Sequence, residues 1–172
     1  MDEHTAKIIN RMQGEIDRLK PIELPTRTCS ARYTTNAGQS IGSGGSATII
    51  NFEDLRIDTD SAVTVGAAWK FTCPAGKGGY YHVDVSLLFT STATWAAAEY
   101  AQVDIYKGGA RYSTLYRSTA ESATTLNKEL TGSDVVSLAV GEYLDIRVFQ
   151  NSGGALTLQA DGLYNHVAIS RI

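Results

Sequence analysis

Three histidines, His4, His82 and His166, and two cysteines, Cys29 and Cys73, are the residues best suited to ligate a transition metal or activate a nucleophile. Their spacing supports neither. No H-x-x-x-H pair and no C-x-x-C pair occurs, so the local ligand pairs of a zinc site are missing. The one G-x-S-x-G match, Gly38 to Gly42, stands in a glycine- and serine-rich stretch that opens no helix, so it does not read as the strained serine of a nucleophile elbow. A Ser-His-Asp triad is defined by geometry, so the sequence alone leaves that arrangement open. His82 falls on the polar face of an alternating stretch, the place of an exposed or interface histidine. The two cysteines read as free thiols, being too few for a disulfide framework. The expectation is no catalytic residue, no cofactor and no metal.

Glycine runs and acidic runs point the same way. "GSGGS" (Gly42 to Ser46) and "PAGKGGYY" look like phosphate loops, yet neither fits G-x-x-x-x-G-K-[ST] and neither opens a helix. They read as turns. "FEDLRIDTD" offers Glu53, Asp54, Asp58 and Asp60, hard oxygen ligands suited to calcium, but without the spacing of an EF loop. A solvated loop is the preferred reading. The aromatic residues are more telling. Tyr80, Tyr106, Tyr112, Tyr116 and Trp95 cannot all fill one core, so some belong to a subunit interface or a recognition surface.

Two kinds of element must position these residues. The first is a helix over 1–20, in which Ile9, Met12, Ile16 and Leu19 recur as an a/d stripe. Asp2 and Glu3 suit the positive end of its dipole, and Arg18 and Lys20 the other. Pro21 and Pro25 then stop it, making 21–30 a stiff linker. So short a helix is marginal alone, so its stripe must be buried in self-association or against a neighbouring protein. The stripe is therefore the candidate oligomerisation and anchoring site.

The second kind is the β-strand, and it fills 31–172. "GYYHVDVSLLF" alternates Tyr81, Val83, Val85, Leu87 and Phe89 against His82, Asp84 and Ser86. "GEYLDIRVFQ" sets Leu144, Ile146 and Val148 against Asp145 and Arg147. "KGGA" turns a hairpin between Val103 and Ile105 and a following strand, and "NSGG" reads as a second hairpin turn into "ALTLQA". "ATIIN", "SAVTV", "AWKFT" and "HVAISRI" supply further strands. About ten short strands with no helical pattern between them predict an antiparallel sandwich or jelly roll.

The chain has 172 residues, 43% of them hydrophobic, enough for one domain with a core. A net charge of −3, with both signs mixed, argues against nucleic-acid binding. No apolar run is long enough for membrane insertion, and the acidic start is unlike a signal peptide.

The β region resembles a known superfamily. Gly79, Tyr81 and Val83 form a G-x-Y-x-V arrangement similar to the signature of tumour necrosis factor and complement globular-head domains. "LAVGEYLDIRVFQNSGGALTL" resembles their later G-D-x-V strand, with Gly141, Glu142 and Leu144 at the matching positions. "ARYTTNAGQSIGSGGSATIINFEDLRIDTD", with the "VFQNSGG" turn, resembles the complement-like domains of bacteriophage virion proteins. The chain departs from the pattern in having "HVAISRI" as its last strand and no collagen-like stretch before the domain. The resemblance implies an all-β, ten-strand jelly roll that assembles as a homotrimer. It further implies a virion protein made in the host cytoplasm, attached to other virion proteins through its helix. That protein would be a tail-fibre-like knob facing a bacterial surface receptor. A capsid decoration or head-fibre protein and a soluble complement-like ligand are the alternatives.

Overall fold

The computed structural model describes Thr5 and residues 28–91, 94–123 and 127–172. The stripe of Ile9, Met12, Ile16 and Leu19 lies outside the described residues, as does most of the linker.

Alternation becomes strands wherever one face has a core to meet. The first six are β1 (Ser30–Thr34), β2 (Ser40–Ile41), β3 (Thr48–Ile49), β4 (Asp54–Asp58), β5 (Val63–Thr64) and β6 (Lys70–Thr72). Then come the long ones: β7 (Gly79–Ser91), β8 (Tyr100–Lys107), β9 (Ala110–Thr119), β10 (Lys128–Leu138) and β11 (Tyr143–Gln150). β12 (Leu156–Leu158) and β13 (His166–Arg171) complete the fold.

Two antiparallel sheets result. The seven-stranded sheet runs β2-β12-β7-β13-β1-β4, with β10 also on β7; the six-stranded sheet runs β5-β6-β11-β8-β9, with β3 also on β11. Between them, Tyr81, Val83, Val85, Leu87 and Phe89 of β7 face Val103 and Ile105 of β8 and Leu144, Ile146 and Val148 of β11, all essentially fully buried. Each such side chain contributes about 1.5–3 kcal/mol by leaving water. Edge-on aromatic pairs close the sandwich, Phe52 on Trp69 at 5.2 Å and Phe71 on Tyr81 at 5.3 Å between centroids.

Two glycine sites explain themselves. Gly108 and Gly109, at φ 57° and 83°, give the β8–β9 hairpin the left-handed turn that matches strand twist. Gly132 of β10 passes so close to β9 that a Cβ there would lie 2.8 Å from the Leu115 carbonyl oxygen. That approach seals the sandwich along one side.

Three expectations need correction. Thirteen strands occur among the described residues where about ten were expected, because no strand was expected at β1, β2, β4 and β10, where polar residues match or outnumber apolar ones. "FEDLRIDTD" is not merely a solvated loop: Asp54 to Asp58 form an edge strand paired with β1. "NSGG" does not make a hairpin. β11 pairs with β8, β6 and β3 whereas β12 pairs with β7 and β2, so the turn carries the chain from one sheet to the other. Buried Gln150 holds that corner, its amide donating to the carbonyls of Ile41 and Gly154 while its oxygen accepts from Ser152.

Candidate functional site

With hydrophobic side chains committed to the interior, each sheet presents an outward face. On the six-stranded sheet, β8 sends Ala101, Val103 and Ile105 inward and so turns Tyr100, Gln102, Asp104 and Tyr106 outward. β11 sets Asp145, Arg147 and Phe149 beside them, opposite Tyr106, Asp104 and Gln102 respectively. An outward face should be wet, yet Asp104 is 1% exposed and Asp145 2%. Long side chains cover them. Arg147 donates two hydrogen bonds to Asp145, at 2.6 and 3.1 Å, and its guanidinium lies 4.1 Å from the Tyr106 ring centre. That pairing holds the Arg147 guanidinium above its ordinary proton affinity. Arg117 donates twice to Gln102 Oε1 and stacks 3.9 Å from the centre of Tyr100.

Asp104 stands apart from this pairing. Its carboxylate accepts from Gln102 Nε2 at 2.8 Å and from Thr114 Oγ1 at 2.7 Å, both neutral donors. No cation pairs with it among the described residues. Above it opens a cavity of about 160 Å³, walled by Tyr100, Tyr106, Phe149 and Ala47, with Arg111 at the edge.

The seven-stranded sheet presents a different face. Ser86 and Asp84 of β7, His166 and Ala168 of β13, and Thr34 and Arg32 of β1 align across it in register. His166 Nε2 lies 3.5 Å from Asp84 Oδ1, and His82 is exposed beside Ser170. Two apolar patches flank this polar centre at opposite corners. One comprises Tyr80 (62% exposed), Val135 and Ile172, joined by Tyr112, whose hydroxyl donates to the Val135 carbonyl. The other comprises Ile57 and Leu163 (85% exposed), beside a groove of about 570 Å³ that also touches Arg32 and Arg56.

The remaining residues singled out by sequence have structural work. Asp58 accepts from the Tyr33 hydroxyl and from the backbone of Ala62 and Val63, which commits its oxygens to a turn. Asp54 accepts from Asn36, and Asp60 lies 3.9 Å from Lys77. No metal-holding cluster occurs among the described residues. Cys29 and Cys73 are unbridged and buried. Burial, then the Asp60 carboxylate, pushes the Cys29 thiol up to about 11. Cys73 Sγ lies 3.5 Å from the Tyr81 hydroxyl, which donates to the Lys77 carbonyl. Trp95 is fully buried under Lys128, so it leaves the recognition set, whereas Tyr80, Tyr112 and Tyr116 stay exposed. Sequence reasoning missed Gln102, Asp104 and Arg117. The visible signal was two polar residues alternating with Ala101, Val103 and Ile105 in "YAQVDIYK".

Comparison with solved structures yields likeness across most of the chain. Murine APRIL at pH 5.0 superposes with a TM-score of 0.57 at 12% identity, covering 85% of this chain and 100% of that one. The chain has the tumour necrosis factor-like fold. The Eiger TNF of S. frugiperda gives 0.57 at 12% identity, with 84% of this chain and 92% of that chain covered. The globular domain of zebrafish complement 1qA gives 0.53 at 11%, covering 84% and 96%. No family model and no curated protein sequence matches.

Proposed function

We propose that this chain is a non-enzymatic binding knob of a bacteriophage particle, a homotrimer tethered to other virion proteins by its segment 1–20. The virion assignment rests on the sequence resemblance of 31–60 and the "VFQNSGG" turn. The assembly rests on one structural observation: two separate apolar patches at opposite corners of the same sheet face. A patch that meets a different patch on the next copy makes a head-to-tail contact, and such contacts close into a ring when each copy is rotated by a third of a turn from the last. The Ile57–Leu163 groove receives the Tyr80–Val135 corner of a neighbour, and the small residues Ala168 and Ser170 between them allow close approach. The six-stranded face then points outward, towards the host surface.

The test uses two surface substitutions and light scattering. Val135→Lys and Leu163→Lys each remove one half of the contact and should give monomers. Mixed together, they retain one intact pair of patches, so a heterodimer should form. A wild-type chain that is monomeric at assay concentration overturns the assembly. Two monomeric variants that stay monomeric when mixed overturn the head-to-tail geometry. The particle assignment is tested by immunogold labelling of purified virions.

A further inference from the structure

Asp104 poses a problem that the assembly does not solve. A carboxylate 1% exposed on an outward sheet face, hydrogen-bonded only by the neutral donors Gln102 and Thr114, keeps acceptor capacity unused. Gln102, clamped by Arg117, and Thr114 hold it in one orientation at the floor of an open cavity. An ionised carboxylate offers about four acceptor positions, and two are filled, so two remain for a ligand.

We propose that this cavity is a saccharide subsite taking one neutral hexopyranose unit of a surface polysaccharide. Two adjacent sugar hydroxyls donate to the free acceptor positions of Asp104, as charge-assisted bonds in a sheltered site. The C–H face of the ring lies against Tyr100, Tyr106 and Phe149, an apolar wall with few, fixed polar groups beneath it. Arg111, at the edge, donates to a hydroxyl or ring oxygen. The volume of about 160 Å³ suits a single ring and excludes a folded peptide.

Other ligand classes fit worse. A cation would find Asp104 and three aromatic rings, but guanidinium groups already lie 4.1 Å from the centre of Tyr106 and 3.9 Å from that of Tyr100. With Arg111 also present, it would enter a ring of positive charge. A phosphate or sulfate would meet Arg111 but sit directly on the Asp104 carboxylate. A neutral molecule with hydroxyls on one side and apolar carbons on the other meets neither objection.

This inference rests on a binding role for the chain but not on its assembly, because every lining residue belongs to one protomer. Saturation-transfer difference NMR on the full chain tests it, with D-glucose, D-galactose, D-mannose and N-acetyl-D-glucosamine oligosaccharides as probes and tetramethylammonium as the competing class. At least one saccharide should receive saturation from tyrosine protons. Asp104→Asn should weaken that binding at least about tenfold by removing the charge. Ala47→Trp fills the cavity from a half-exposed loop position and should abolish binding without lowering Tm, so the proposal stays decidable even if Asp104→Asn fails to fold. Leu163→Lys should bind sugar as wild type does, which keeps failure of the assembly distinct from failure of the site. Silence from all four saccharides, undiminished binding in Ala47→Trp, or binding of tetramethylammonium in place of sugar overturns the proposal.

Discussion

Asn165 is the residue where a one-atom change should be most legible in a stability measurement. It is fully buried at the entry to β13. Its amide donates to the carbonyls of Gln159 at 2.5 Å and Asp161 at 2.9 Å, while its oxygen accepts from the Leu88 amide at 2.9 Å. Asn165→Asp keeps the shape and replaces the donor with an acceptor. Ionised, the new group aims negative charge at two carbonyl oxygens; protonated, it satisfies only one of them. The protonated form therefore loses about 1–3 kcal/mol through the orphaned carbonyl. Its folded-state pKa must also rise above the unfolded value of about 3.9. Between those two values the folded protein binds the extra proton, so stability falls as pH rises, by about 1.4 kcal/mol per unit. Two such units bring the total loss to about 4–6 kcal/mol, comparable with the whole stability of a marginal domain. Urea unfolding followed through the buried Trp69 and Trp95 supplies the assay. Wild type, Asn165→Asp and Asn165→Ala are compared from about pH 4.5 to 6.5, at one protein concentration because assembly shifts apparent stability. The alanine offset should stay flat and the aspartate offset should widen. An aspartate offset that is also flat would refute the hydrogen-bond assignment at this site.

Three further outcomes follow from other parts of the molecule. Gly132→Ala should cost about 1–3 kcal/mol by overpacking, seen as a lowered Tm, because the contact is with the Leu115 backbone and no rotamer can relieve it. Alkaline titration should destabilise the protein above about pH 9: Cys29 and Tyr33 are pushed up by burial to about 11 and about 12, so their neutral forms stabilise the fold below their unfolded values. That contribution disappears as pH rises through the folded values, and circular dichroism against pH checks it. Ile16→Asp should leave a folded trimeric knob missing from purified virions, by immunoblot of particles and light scattering of the free protein; normal loading would show that segment 1–20 is not the anchor.

Strand identity was legible wherever alternation was long. Tyr81 to Phe89 and Leu144 to Val148 announce their buried faces because period two is enforced by a core on one side only. Short strands were legible where β-branched residues clustered, as in "SAVTV" and "ALTLQA", whereas the long β10 was not, since Gly132 and Asp134 interrupt its alternation. The "NSGG" corner misled for a related reason. Turn chemistry specifies a reversal of the chain but not which sheet receives the next strand, and here buried Gln150 decides it. The recognition surface was half visible. Tyrosines too numerous for one core flagged an outer surface, but Asp104 is set apart only by what covers it. Arg117 reaches it across strands through Gln102, a relation no local pattern contains.

The strand that opens the jelly roll and the one that closes it are neighbours, Ser30 opposite Ser170, with the Arg171 amide bonded to the Cys29 carbonyl. During translation β1 must therefore wait for residues 166–170 to leave the ribosome before it gains its partner on that side. Both chain leads also exit at one pole of the knob. A peptide tag appended after Ile172 would emerge at the same pole as the chain that leads into β1. Display of a foreign epitope away from that pole would instead call for insertion in the loops at the opposite end of β13, such as the one carrying Leu163.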